Sequence, residues 1–417
     1  MSTDYVPTKE GQMSDHSIEK SALKRQFEKL QELSAFLLVG TVIALVWANT
    51  DQESYAEAFH KINFLGHYKL LHFLVNDIFM VLFFGIAMKE VSESFLPGGA
   101  LSSMSKAAMP VVATMGGIFG PIGMFFVLRA VLAPDPDIFN AWAVPTATDI
   151  AYAWLFAGLI FGRAHPAVLF LLVLAVLDDL IGMLIIAVFY TSEVNAEWLG
   201  LVALAMVLCE ILRRKGVKSF WPYFIIGTPL CWLGLYNCGV HPALAMVPVV
   251  PFMPHAGRDA GLFAEGQHHH DTMNEFEHFF KPIVDVGLFT FGLANAGVIL
   301  SGESFGGSPT WIILFALLIG KTFGVLFFAL LGKAMGLSLP KGMDFKQVTV
   351  MGMIAAIGFT VALFVTSVAL KSGISPELKA RYAETGTADM LKLGALLSFS
   401  AGPLAWIMGS IFKIKKV

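Results

Sequence analysis

Residues 174–182 read LAVLDDLIG, and Asp178 and Asp179 stand side by side in an apolar run from Val168 to Phe189 that is otherwise interrupted only by Gly182. Paired carboxyl groups can hold a cation through hard oxygen ligands, exchange it for protons, or serve an enzyme as magnesium ligands or a shared-proton dyad. Two other stretches carry similar anomalies. NAWAVPTATDIAYAWLFAGL gathers Thr146, Thr148 and Asp149 just after Pro145, and WIILFALLIGKTFGVLFFALLG holds Lys321 at its middle.

The surrounding elements make these residues unusual. A helix crosses a bilayer with about twenty mostly apolar residues. The chain has 417 residues, 56% of them hydrophobic and 14% charged, against about 25% charged in a soluble domain. This is the composition of an all-α polytopic membrane protein. Twelve candidate crossings can be counted, the fourth, fifth, tenth and eleventh centred near Asp149, Asp178, Lys321 and Ile357; the eighth is short and holds Pro242, Pro248 and Pro251. With both termini inside, most of the 28 Lys and Arg residues fall on inner segments, as the positive-inside rule requires. Residues 1–30 read as a polar cytoplasmic tail without the apolar core of a signal peptide, and 31–417 as one transmembrane domain. A net charge of -3 with scattered basic residues argues against a nucleic-acid partner. Cys209, Cys231 and Cys238 lack ligand spacing and read as small buried residues.

An ionisable group at mid-bilayer costs about 2.5–3.5 kcal/mol and points to function when it faces the bundle interior. Pro145 removes a backbone donor, so the fourth span is expected to break there, and a broken helix is tolerated only inside protein or beside water. Gly352, Gly358 and Thr360 mark the matching weak point in VTVMGMIAAIGFTVALFVTSVAL, where glycines can equally serve close packing. Spans 3–5 and 10–12 then read as inverted three-helix repeats, with helices 4 and 11 discontinuous and crossing at the midplane. Half-helix ends meeting there carry partial charges, which Asp149 and Lys321 can offset. Adjacent helical residues diverge by about 100°, so one aspartate can face Lys321 while the other faces a cavity. A static polar lock is the alternative, but a lock needs one pair and not three acids beside a break.

Other polar residues are open to two readings. Glu90 and Glu93 in AMKEVSES are a solvated helix end or a sensor, and Glu277 and His278 in NEFEHFFKP are capping groups or a titrating pair near neutral pH. His241 in NCGVHPALAM suits an interfacial position, and His268, His269 and His270 a solvated loop. Asp77 and Asp285 fit none of these roles.

Taken together, PTATDIAYA, LAVLDDLIG, LLIGKTFG, AAIGFT and LANAGV resemble the NhaA-type bacterial sodium/proton antiporters, in the family's order and spacing from about Ser34 onward. The resemblance implies a twelve-helix, multi-pass protein of the bacterial inner membrane, not an enzyme and without a cofactor, that exchanges one Na+ or Li+ for two protons and is activated as cytoplasmic pH rises. It implies that Asp178 and Asp179 carry Na+ and H+, that Thr148 and Asp149 are the family's fourth-helix pair, and that Lys321 bridges to Asp178. It places pH sensing on Glu90, Glu277, His278 and His241. It also makes the loop DQESYAEAFHKINFLGHYKL a homodimer hairpin. The chain departs from the family pattern beside Glu90, where Lys89 precedes the acid and Val91 and Ser92 follow it, and at Lys281, where a histidine is expected.

Two rival classes are weaker. A sodium-coupled solute symporter would want a larger polar cavity and no buried lysine. A prenyltransferase would want DDxxD, whereas Gly182 occupies the last position, and an aspartyl protease would want its acids on separate helices.

Overall fold

The computed structural model describes residues 35–61, 63–64, 68–97, 99, 101–102, 104–163, 165–191, 194–255, 271–372 and 374–416. The tail 1–30 and His268, His269 and His270 lie outside them. In chain order the main helices are α1 (Ala35–Thr50), α2 (Leu71–Phe95), α3 (Ala107–Leu132), the halves α4a (Phe139–Thr146) and α4b (Ile150–Phe161), α5 (Pro166–Phe189) and α6 (Leu199–Arg214). They continue as α7 (Thr228–Cys238), α8 (Pro242–Phe252), α9 (Thr272–Asn295), α10 (Ser308–Ala334), the halves α11a (Phe345–Ala355) and α11b (Phe359–Ala369), and α12 (Thr387–Ile411). Among the described residues, five of these are long and apolar enough to cross a bilayer, namely α2, α3, α5, α10 and α12, and the two broken pairs add two more. Exposed Val39, Val42, Val207, Phe323, Phe327 and Trp406 give the bundle an apolar outer surface suited to lipid. A short antiparallel ribbon, Asn63–Phe64 with Tyr68–Lys69, joins α1 to α2.

The helices form two packed groups. In one, α3, α4, α5, α10, α11 and α12 surround the breaks; in the other, α1, α2 and α6–α9 pack together, and α2 on α5 and α9 on α11b join the two. The tightest contact is between α3 and α10. Between helices in lipid there is little hydrophobic driving force, so association depends on close van der Waals approach through small residues. Gly116 and Gly120 on α3 face Gly320 and Gly324 on α10, and a Cβ on Gly116 would lie 2.0 Å from the Gly324 carbonyl oxygen, one on Gly120 2.2 Å from that of Gly320. No side chain fits at these positions, and the close approach sets the depth of Lys321.

Both expected breaks form. The halves α4a and α4b meet at 42°, and α11a and α11b at 49°. In α4 the turn before the break is a tight 3-10 turn, Val144–Thr146, with Pro145 in it, after which Ala147 is extended and Asp149 caps α4b. The backbone donors freed by the breaks are satisfied across the crossing: the Asp149 N–H donates to the Ile357 carbonyl at 2.7 Å. At the N-terminal end of α11a, Asp344 closes a capping box with Gln347, which satisfies two amides that a helix start otherwise leaves unpaired.

Candidate ion-exchange site

Four half-helix ends converge at the crossing, two with free carbonyls and two with free amides. Lys321 Nζ donates to the Thr146 carbonyl at the end of α4a, at 2.6 Å. Thr148 Oγ1 lies 2.9 Å from the Ala355 carbonyl at the end of α11a. Asp149 serves both amide ends: its Oδ1 accepts from Tyr152 N of α4b at 3.4 Å, and its Oδ2 accepts from Thr360 N of α11b at 3.2 Å and from the Thr360 hydroxyl. Negative oxygens thus sit at N-termini and a positive nitrogen at a C-terminus, the arrangement that the helix dipole favours.

Asp178 is the junction between these caps and the paired acids. Its Oδ2 accepts from Lys321 Nζ at 2.7 Å and lies 2.8 Å from Thr148 Oγ1. The Thr148 hydroxyl has one proton, which Asp178 and the Ala355 carbonyl share. Asp178 and Lys321 are fully buried, and Gly117 of α3 opens room for them, since a Cβ there would lie 3.6 Å from both Asp178 Oδ1 and Lys321 Cε. Among the described residues, Asp178 Oδ1 and Asp179 Oδ1 have no hydrogen-bond partner. Asp179 is only partly buried, and the next residue, Leu180, lines a cavity of about 310 Å³ with Met88, Val91, Ser92, Pro251 and Met273. Adjacent positions on α5 therefore differ: Asp178 is bonded to Lys321 and Thr148 among the helix ends, and Asp179 is the less buried of the two.

Lys321 closes a π-helical turn, Ala316–Lys321. Such a turn inserts an extra residue and re-aims a side chain, and it is frequent at functional sites. A second π turn, Leu74–Phe79, carries Asp77, whose carbonyl accepts from Trp232 Nε1 at 2.8 Å.

Comparison with known proteins identifies the family. The family model described as Na+/H+ antiporter 1 matches residues 24–406. The chain belongs to that family. It is 46% identical to the Na(+)/H(+) antiporter NhaA of Geobacter metallireducens over 95% of this chain and 100% of that protein. It is 41% identical to the NhaA of Jannaschia sp. over 92% of this chain and 97% of that protein. In fold it resembles the sodium proton antiporter MjNhaP1 from Methanocaldococcus jannaschii, with a TM-score of 0.57 at 14% identity, covering 95% of this chain and 96% of that one. As a member of the Na+/H+ antiporter 1 family, the chain is a membrane-spanning sodium/proton antiporter.

The structure brings Asp178, Asp179, Thr148, Asp149 and Lys321 together and sets the remaining family candidates apart in two clusters. Toward the C-terminal end of α2, Lys89 is buried and its Nζ lies 2.6 Å from Glu277 Oε2, 2.7 Å from Glu93 Oε1 and 3.7 Å from Glu90 Oε1. Lys281 stands 3.7 Å from the other Glu277 oxygen. The lysine that departs from the family pattern is thus the hub of this cluster. His278 is exposed, on a different face of α9 from buried Glu277.

The second cluster joins α2 to the start of α8. His241 Nδ1 accepts from Ala243 N at 3.3 Å, which leaves the ring proton on Nε2, 3.8 Å from Asp77 Oδ1. Sequence reasoning left Asp77 unassigned because its neighbour lies more than 160 positions away. It also missed Gly116, Gly120, Gly320 and Gly324, although the spacing of both pairs, three residues between glycines, was visible as the small-residue pattern of close helix crossings.

Proposed function

We propose that this antiporter is electrogenic, moving two protons in for each Na+ or Li+ out, across the inner membrane of a bacterium. The supporting observation is the division of labour at the paired acids: Thr148 and Lys321 converge on one oxygen of Asp178, while Asp178 Oδ1 and Asp179 Oδ1 remain available. In this reading the ion enters by the cavity beside Leu180 and is held by Asp179, Asp178 and Thr148 through oxygen. Sodium binding requires both carboxylates charged, so protons and the ion compete for the same atoms. Asp149 and Lys321 keep the crossing neutral while Asp178 changes partner.

Two protons for one sodium moves one net charge, worth about 2.3 kcal/mol per 100 mV, or about a 50-fold sodium gradient at about 1.4 kcal/mol per tenfold. The reading includes twelve crossings, cytoplasmic termini, a single transmembrane domain over 31–417 and a cytoplasmic tail over 1–30. It also includes a homodimer formed through the hairpin between α1 and α2, and activation at rising pH through Glu90, Glu277, His278 and His241. The buried Lys89 hub beside Glu90 and Glu277 favours a charge-coupled role for the inner cluster over a solvated helix end.

Proton flux in everted vesicles after addition of NaCl or LiCl tests the core of this reading. Asp179→Asn is expected to abolish the response to both ions. If the variant still moves protons on sodium addition, the assignment of the paired acids is wrong.

A further inference from the structure

The two broken helices solve the same problem by different means. α4b carries its own cap, Asp149. At the corresponding place α11b has Gly358, which offers no side chain. The space there is tight, since a Cβ on Gly358 would lie 3.0 Å from Ala362 Cβ and 3.2 Å from Leu317 Cδ2. The amides at the start of α11b still need acceptors, since an unpaired buried N–H is costly. Asp149 takes Thr360 N; the other two go to α12. Gly358 N and Phe359 N both donate to Ser398 Oγ, at 3.1 and 3.3 Å, and the Ser398 hydroxyl donates its own proton to the Ala395 carbonyl at 2.6 Å. Donors and acceptors are therefore matched, and Ser398 is fully buried.

We infer that Ser398 is a positioning residue for the ion site, a cap imported from α12 that fixes the backbone from Ala355 to Phe359. This rests on the ion-site reading above. The connection is short. Ile357, next to Gly358, gives its carbonyl to Asp149 N, and Ala355 gives its carbonyl to Thr148, whose hydroxyl also reaches Asp178. Without the Ser398 oxygen the two amides lose their acceptor, and the nearest charged acceptor on α11b's side is Asp149, already occupied by Thr360. The segment that aims Thr148 and Asp149 then loses its anchor, although no residue that touches the ion is itself substituted.

The test is the Na+ dependence of proton flux in everted vesicles for native protein, Ser398→Ala and Ser398→Thr, with melting in detergent measured on each. Ser398→Ala is expected to raise the apparent KM for Na+ about fivefold or more with the maximal rate within about twofold, and Ser398→Thr, which restores the oxygen, to return the KM to near native. Should Ser398→Ala fail to insert, Ser398→Cys keeps the volume with a weak sulfur acceptor and is expected to raise the KM in the same direction. An unchanged KM with a lowered melting temperature would make Ser398 purely structural and overturn the inference. Retained sodium response in Asp179→Asn is the separate signature of a wrong ion site, and would overturn both.

Discussion

Lys321→Met gives the sharpest test of how the site is held. The substitution keeps the volume of the aliphatic stem and removes only the ammonium, so no large cavity confuses the result. Two contacts are lost: the 2.7 Å ion pair to Asp178 and the 2.6 Å hydrogen bond to the Thr146 carbonyl. Removing one partner of a buried pair costs about 3–5 kcal/mol, because a charge is stranded, and an orphaned carbonyl costs about 1–3 kcal/mol. The stranded Asp178 escapes part of this by taking up a proton, which puts the net loss at about 3 kcal/mol. With about 2.1 cal/mol/K of unfolding entropy per residue, a chain of 417 residues loses about 1 °C per kcal/mol. Helices that stay formed in detergent lower that entropy, so a fall of about 3 °C is a lower bound. The decisive comparison is Asp178→Asn/Lys321→Met, which removes the stranded charge and is expected to recover at least half of the loss. Melting can be followed by tryptophan fluorescence in detergent. A Lys321→Met melting temperature within 1 °C of native, or a double variant that melts at the sum of the two single losses, would refute a pair that is held by mutual desolvation.

Gly324→Ala tests the close crossing of α3 and α10. Its Cβ would lie 2.1 Å from the Gly116 carbonyl oxygen, so the helices must separate. Overpacking of this kind costs about 1–3 kcal/mol, and because Lys321 lies on the same helix, both the melting temperature and the transport rate should fall. A variant with native values for both would show that the crossing is not tight. On the loop between α3 and α4a, Asp137 accepts from Arg129 Nε and Nη2, each at 2.6 Å, and from the backbone of Phe139 and Ile138 at the start of α4a. The Arg129 hydrogen bond holds the Asp137 carboxyl below its ordinary range. A depressed folded value means stability that is present above the unfolded value of about 3.9 and lost as pH falls through the folded one. Hydrogen-exchange protection of Ile138 and Phe139 should therefore decline in native protein as the pH drops below about 4, and be lower but flat with pH in Asp137→Asn; equal slopes in the two proteins would remove the role given to this pair.

The residues of the candidate site stand out in the chain because each is improbable where it stands. A carboxylate pair or a lysine in an uninterrupted apolar run is costly in lipid unless it is paired or functional, and a proline followed by Thr146, Thr148 and Asp149 announces a break together with its caps. The break in α11 was less visible. It has no proline, and its capping oxygen comes from Ser398, forty residues away on another helix, where a serine in an apolar span looks unremarkable. The π turns were hidden for a related reason: a wide turn leaves no mark in hydropathy, so neither the aim of Lys321 nor that of Asp77 follows from spacing. Glu90, Glu277 and Lys89 were harder to read. A solvated end or a sensor stayed open for Glu90, a cap or a titrating group for Glu277, and Lys89 stood out only as a departure from the family pattern, because the packing of α2 on α9 that brings them together is not written in either helix alone.

The geometry also bears on how Asp178 can change partners in the proposed cycle. If Lys321 were held by Asp178 alone, turning that carboxylate toward an ion would leave an unpaired ammonium in the membrane, at a cost that would oppose binding. Lys321 keeps a second acceptor, the Thr146 carbonyl, fixed by the end of α4a. Thr148 likewise keeps the Ala355 carbonyl when its proton is withdrawn from Asp178. Each donor on Asp178 Oδ2 therefore has a fallback supplied by a half-helix end, and both fallbacks exist only because the helices are broken at this depth. The discontinuities matter less as charged ligands for the ion than as reserve partners, which lower the cost of releasing Asp178 and so keep the exchange between sodium and protons reversible.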